Sequence, residues 1–168
     1  VIVSERGNAI KFNEQDVRPM GRTAAGVKSM NLREDDIAVC MDIAVDDEDL
    51  LVISENGFGK RTPLVEYKRQ NRGGVGIKGM STNEEDFVEK ILSMSTHDWI
   101  LFFSNKGRVY RMKGYEVPEF SRQSKGLPII NLLPLEKDEN ISSILSVKQD
   151  DDFTKYLIFA TKNGIVKR

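Results

Sequence analysis

The sequence predicts an all-β protein, part of a ring of repeated, roughly four-stranded units, and three observations carry that prediction. Glycines suited to hairpin turns stand at Gly7, Gly57, Gly107 and Gly164, spaced by 50, 50 and 57 residues, each between a short apolar stretch and a basic one. Other residues recur at fixed offsets: Lys11, Arg61, Arg111 and Arg168 four after the glycine, Arg22, Arg72 and Arg122 fifteen after, Gly26, Gly76 and Gly126 nineteen after. Units of this length match propeller blades, and stacking them radially buries faces that no unit could bury alone.

The periods run 1–50, 51–98 and 99–155, with the first hairpin of a fourth at 156–168. Each opens on a strand-like run with hydroxyls at matched places: Val1-Ile2-Val3-Ser4, Leu51-Val52-Ile53-Ser54, Ile100-Leu101-Phe102-Phe103-Ser104 and Leu157-Ile158-Phe159-Ala160-Thr161. Asn56-Gly57 and Asn163-Gly164 are strong hairpin signals, since both residue types accept positive φ. Each period closes on a second apolar run, at Ile37-Ala38-Val39-Cys40-Met41, Phe87-Val88-Glu89-Lys90-Ile91-Leu92 and Ile141-Ser142-Ser143-Ile144-Leu145. The middle run alone could start a helix, but its counterpart around Val39 favours strand. The extra seven residues of the third period fall around 134–140 and 149–155, which places the insertions in loops. A partial ring has open edges, and these favour pairing with another chain, so a homodimer is expected.

The pivotal stretch is Gln70-Asn71-Arg72-Gly73-Gly74-Val75-Gly76. Its glycines let backbone turn tightly and approach a ligand, and Arg72 suits an anion. The charges support a phosphate-facing edge. From Arg6 to Lys28, Asn56 to Lys78 and Lys106 to Pro128 lie 17 of the 25 bases but only 5 of the 26 acids. The acids gather instead at residues 34–36, 46–49, 84–86, 136–140 and 150–152, read as solvated turns. Radial stacking would turn a chain of net charge -1 into a polarised disc with a basic stripe able to track a phosphate backbone. Lys11, Arg22, Lys60, Arg61, Arg72, Arg108, Arg111 and Arg122 are the expected phosphate contacts, and Gly73, Gly74 and Gly76 should bring backbone close to DNA. No recognition helix is evident, so little base readout is expected. The rival is a propeller-like protein-interaction scaffold whose edge bases only keep it soluble.

These residues resemble the repeats of the C-terminal domain of the gyrase A family, the β-pinwheel of bacterial type IIA topoisomerases. Residues 70–76 are similar to that family's Gln-Arg-Arg-Gly-Gly-Lys-Gly box, with Asn71 and Val75 in place of two bases. Further likeness lies in Asp16-Val17-Arg18-Pro19-Met20-Gly21-Arg22, Gly57-Phe58-Gly59-Lys60-Arg61-Thr62-Pro63, Asn105-Lys106-Gly107-Arg108-Val109-Tyr110 and Ile130-Asn131-Leu132-Leu133-Pro134-Leu135. The family carries its box in the first repeat, whereas here it stands in the second. The resemblance implies duplex DNA wrapping that presents DNA for negative supercoiling by DNA gyrase. It also implies partners in the rest of gyrase A and in gyrase B, a bacterial cytoplasmic setting, and ATP and Mg²⁺ acting elsewhere in the holoenzyme. The related topoisomerase IV domain, with a degraded box, is the alternative within this family.

Other chemistry is not expected. No apolar run reaches the length of a membrane helix, no signal pattern is present, and the start at Val1 without methionine reads as a fragment. Cys40 is the only cysteine and should pack as a small hydrophobe; a disulfide or cysteine zinc cluster is excluded. His97 is the only histidine, which excludes a histidine-rich metal site and suggests a loop role in Thr96-His97-Asp98. Tyr67, Tyr110, Tyr115 and Tyr156 should pack in core or rim rather than act as nucleophiles, and Trp99 should be buried. No phosphate-binding loop of the nucleotide-hydrolase type and no EF-hand spacing occurs, so no catalytic residue, metal or cofactor is assigned.

Overall fold

The computed structural model describes residues 1–150 and 156–168. In chain order the strands are β1 (Ile2–Ser4), β2 (Asn8–Ile10), β3 (Ala38–Met41), β4 (Asp49–Ser54), β5 (Phe58–Pro63), β6 (Ile77–Lys78) and β7 (Val88–Met94). They continue with β8 (Trp99–Ser104), β9 (Val109–Lys113), β10 (Leu127–Pro128), β11 (Ile141–Val147), β12 (Phe159–Ala160) and β13 (Val166–Lys167). Among the described residues every helical piece is a single 3-10 turn of three residues, at Glu14–Asp16, Leu64–Glu66, Gly114–Glu116 and Ile129–Asn131. The second apolar run of each period is strand, as expected.

The hairpins close identically, which explains the matched hydroxyls. Ser4 Oγ accepts from the Asn8 N–H at 3.2 Å, Ser54 Oγ from Phe58 at 3.2 Å, Ser104 Oγ from Arg108 at 3.3 Å and Thr161 Oγ1 from Ile165 at 3.1 Å. The intervening glycines sit at φ +75, +77, +75 and +78, a region that carries a steric cost for a side chain with Cβ. One acid in each of four clusters departs from the solvated reading, since Asp36, Asp49, Asp86 and Glu139 are buried. Asp36 is buried and accepts from the Arg6 N–H at 3.0 Å; Asp86 is buried and accepts from the Asn56 N–H and the Ser54 hydroxyl, both at 3.0 Å. The outward turn N–H would otherwise lack a partner.

The sheets are built across the sequence periods. β3-β1-β2 is joined by β6 from the next period, and β7-β4-β5 by β10 from the period after, giving two four-stranded antiparallel sheets. β11-β8-β9 forms a three-stranded sheet and β12-β13 a two-stranded one. We call the first three sheets blades one, two and three. β4 shows how they stack: Leu50 and Val52 pack with Val3, Ala9, Leu64, Tyr67 and Val88, while Leu51 and Ile53 pack with Ile100, Phe102 and Ile129. All six residues of β4 are buried, because blades cover both of its faces. Alternating side chains thus feed two cores from one strand.

Some single-residue expectations change and others are met. Trp99 is half-buried, since Ile100 and Phe102 take the inward face of β8; its ring lies 4.3 Å from the Arg111 guanidinium and 4.1 Å from the Lys113 ammonium. Cys40 is half-exposed and its thiol donates to the Glu89 carbonyl at 3.2 Å. Tyr67 is buried and burial pushes its phenol up to about 12. Tyr110 donates to Glu139 at 2.9 Å, whereas Tyr115 and Tyr156 are exposed. His97 sits in the turn after β7, exposed, its N–H donating to Ser95 Oγ at 3.3 Å. Residues 134–140 form a turn-containing loop; the second expected insertion, 149–155, lies largely outside the described residues.

Candidate nucleic-acid interface

The loops that follow each hairpin, residues 12–32, 66–82 and 116–131, are locked to one another at a constant fifty-residue step. Asn31 N–H donates to the Gly74 carbonyl at 2.7 Å, and fifty residues on Ser81 N–H donates to Ser124 at 3.3 Å. Gln70 N–H donates to the Lys11 carbonyl at 2.8 Å, and its counterpart Phe120 N–H to Arg61 at 3.1 Å. The loops therefore stack in register, the second and third each lying against the hairpin of the preceding blade.

The box residues build this joint. Gly76 has φ +73, and a Cβ there would lie 2.7 Å from the Ala9 carbonyl oxygen; at Gly126, φ +84, it would lie 2.4 Å from that of Gly59. Gly73 has φ +84 and donates its N–H to the Ser29 carbonyl at 2.8 Å, while Asn71 accepts from the Gly74 N–H at 3.3 Å. A Cβ on Gly74 would touch Ile10 at 3.6 Å. The glycines expected to approach DNA thus approach neighbouring protein backbone or side chains, and at Gly76 only a residue without Cβ lets loop and hairpin meet. Asn71 and Val75 are the exposed members of the box, Val75 at 61%.

The arginines divide. Arg72 donates to the Asp16 carbonyl at 3.2 Å and to that of Lys28, and Arg122 donates to the Lys78 carbonyl, again fifty residues on. These guanidiniums staple one loop to the loop before it. Arg22, the third of the set, is exposed.

Three other expected phosphate contacts are withdrawn into the protein. Lys11 is buried, its ammonium donating to the Leu64 carbonyl at 2.8 Å and paired with Asp46 at 3.0 Å. Arg61 donates to Asp49 and Glu119, each at 2.7 Å, and to the Val117 carbonyl at 2.7 Å. Lys60 is fully buried and donates to the Ser121 and Arg122 carbonyls at 2.8 and 2.7 Å. A cation taken from water needs such partners, and each of these cations has carbonyls or carboxylates around it.

Burial pushes the Lys60 ammonium down to about 8, opposed by Glu66 and assisted by Arg122. The folded protein therefore holds this proton less tightly than the unfolded chain, whose lysine titrates near 10.5. Between those values the unfolded state binds more protons, so the Lys60 contribution to stability rises with pH across the window. Urea midpoints of the parent and Lys60→Met, followed from about pH 7.5 to about 10.5, should show the parent gaining on the variant as pH rises.

Arg108 and Arg111 remain exposed, with different neighbours. Arg108 pairs with Glu136 at 2.7 Å, and that hydrogen bond holds its guanidinium up. Glu139 is held down to about 2, chiefly by the Glu136 N–H, then by Ser104 and Tyr110. Arg111 lies over Trp99.

The structure also brings forward bases that sequence reasoning passed over. Arg18, Lys28, Lys68 and Arg69 are exposed on the stacked loops. Arg18 and Lys68 hold the same offset, eleven residues past the turn glycine, so the repeat itself carried the signal. With Arg22 they present cations at successive levels of the loop stack, an array that suits a repeating polyanion. Among the described residues no cluster of three or more His, Cys, Asp or Glu could hold a metal ion, and no helix is long and apolar enough to cross a membrane.

Comparison with known proteins converges on one family. The sequence signature described as "DNA gyrase C-terminal domain, beta-propeller" matches residues 1–39, 48–93, 98–148 and 155–168. The DNA gyrase A protein of Staphylococcus epidermidis is 56% identical over 127 residues, which is 76% of this chain and 14% of that protein. The chain therefore spans a small part of the curated relatives it matches. A solved DNA topoisomerase IV C-terminal domain superposes with TM-score 0.73 at 25% identity, covering 89% of this chain and 46% of that one. A solved DNA gyrase A C-terminal domain gives TM-score 0.71 at 26% identity, covering 86% and 49%.

Proposed function

Because the chain belongs to the DNA gyrase C-terminal domain family, we propose that its stacked loops bind duplex DNA without reading sequence and bend it from blade to blade. The observation that carries this reading is the placement of Arg18, Arg22, Lys28, Lys68 and Arg69. All are exposed on loops that the box glycines and arginines hold in fixed register. Cations exposed on two loops held in register favour a DNA path that follows them. Bending a site of a few tens of base pairs costs on the order of 1–6 kcal/mol, which several phosphate contacts can offset. Strand edges and loops supply the surface and, among the described residues, no helix is placed to enter a groove, so specificity would come from deformability rather than base contacts.

Within the larger enzyme such a domain would present wrapped DNA for strand passage, with the rest of gyrase A and gyrase B, ATP and Mg²⁺ supplying the chemistry, in the bacterial cytoplasm. The chain's own part would be non-catalytic. The 56% identity to a gyrase A protein favours gyrase over topoisomerase IV. The test is binding of a labelled duplex of about forty base pairs over a salt series. A log–log slope of several units supports a phosphate track. Failure to bind at low salt would remove the reading and leave the interaction scaffold in its place.

A further inference from the structure

The two joints inside the chain share one plan but differ at a fully buried position. β6 lies on β2 between blades one and two, and β10 lies on β5 between blades two and three. Three residues past the turn glycine the first joint has Ile10 and the second has Lys60, both side chains fully buried. Gly74 of the second loop lies against the Ile10 hydrocarbon. In the second joint an ammonium stands at that position.

Lys60 differs from the other withdrawn cations. Lys11 is paired with Asp46, and Arg61 with Asp49 and Glu119, whereas among the described residues Lys60 pairs with no carboxylate. Two neutral carbonyls hold its ammonium, those of Ser121 and Arg122 in the third loop. The charged groups facing it are Glu66, from the turn after β5, which favours the proton, and Arg122, from the third loop, which opposes it. Lys125 of the same loop lies over the Phe58 ring, 3.7 Å from Asp86. β4 opposes Lys60 with Val52, and β10, Leu127–Pro128, carries no titratable group. A charge buried without a counter-ion keeps part of its desolvation cost. Opening the second joint returns that charge to water, while opening the first exposes only hydrocarbon.

We propose that the joint between blades two and three is a proton-operated hinge, in which protonated Lys60 favours lifting of β10 and the third loop from β5 and loss of the proton lets them settle. The first joint, with Ile10, has no such response. In the closed joint the ammonium titrates at about 8, and in an open one near the 10.5 of a solvated lysine. Between those values the open joint binds more protons, so rising pH favours the closed one. From about pH 7 to about pH 9 the open fraction should fall about tenfold. On the reading that DNA follows these loops, this joint is where its path flexes.

The experiment is amide hydrogen exchange of the whole chain without DNA, so that its result stands apart from nucleic-acid binding. Phe120 and Ile129 donate their N–H groups across the second joint, to the carbonyls of Arg61 and Gly57; Gln70 and Gly79 are their counterparts in the first, donating to Lys11 and Gly7. Base catalysis speeds both pairs alike, so the ratio of their exchange rates isolates the second joint. In the parent the ratio of the second-joint pair to the first should fall about tenfold from about pH 7 to about pH 9. Lys60→Met should hold it flat. Glu66→Gln, at an exposed position, should move the fall to lower pH, because the acid that favours the proton is gone. A parent ratio that ignores pH, a fall that persists in Lys60→Met, or a fall that Glu66→Gln leaves in place would overturn the proposal.

Discussion

Replacing Gly126 with alanine should lower the stability of the protein by about 2–4 kcal/mol, the range of backbone strain plus overpacking at a site that cannot collapse away. The residue sits at φ +84, and its Cβ would lie 2.4 Å from the Gly59 carbonyl oxygen and 2.9 Å from Lys60 Cβ. Neither is the movable end of a side chain, so the whole of β10 must lift from β5. Lifting it also disturbs the carbonyls of Ser121 and Arg122 on which the buried Lys60 ammonium depends.

The chain contains its own control. Gly26 has nearly the same φ, +83, with nothing in the way, so Gly26→Ala should show the conformational term alone, about 1–2 kcal/mol. Urea midpoints of the two variants separate strain from clash. Equal losses would mean that the joint yields and that the glycine is needed only for its backbone angle. The larger loss at Gly126 would identify the second glycine of each repeat as the residue that sets blade spacing.

The repeat was legible because each of its marks answers a local requirement that recurs fifty residues on. The turn glycines need positive φ, the hydroxyls at Ser4, Ser54, Ser104 and Thr161 close the hairpins, and alternating apolar residues feed two cores. What the sequence could not disclose is which neighbour a recurrent residue serves. Arg72 and Arg122 carry the composition of an anion site, yet their guanidiniums end on backbone carbonyls of the preceding loop. Lys11, Lys60 and Arg61 follow the turns like surface bases, but the next loop folds over them and supplies carbonyls and carboxylates. Both outcomes depend on contacts across periods, some of them about sixty residues apart in the chain, and offsets within one period do not show those. The sharing of β6 and β10 between sheets was hidden for the same reason.

That distinction between stapling bases and the bases proposed to face DNA can be measured with two sets of variants. Changing Arg18, Arg22, Lys28, Lys68 and Arg69 together to alanine should flatten the log–log salt dependence of duplex binding by about 4–5 units, since each phosphate contact contributes about 0.9. Those side chains are exposed, so the urea midpoint should hardly move. Changing Arg72 and Arg122 instead removes charge-assisted donors from the carbonyls of Lys28 and Lys78. That pair should cost about 1.5–3 kcal/mol of stability for each lost staple, while the salt slope falls by less than about one unit. Affinity would still weaken, because loops that no longer hold their register cannot present their cations along one path, and a duplex labelled at both ends should report less bending. The reverse pattern would overturn this division of labour: a slope reduced by about two units with stability intact would mean that the guanidiniums leave their carbonyls for phosphate when DNA arrives. In the expected pattern the box governs DNA geometry through the protein's own backbone, and a change of Val75 to lysine, at 61% exposure, should add one phosphate contact without touching the joint.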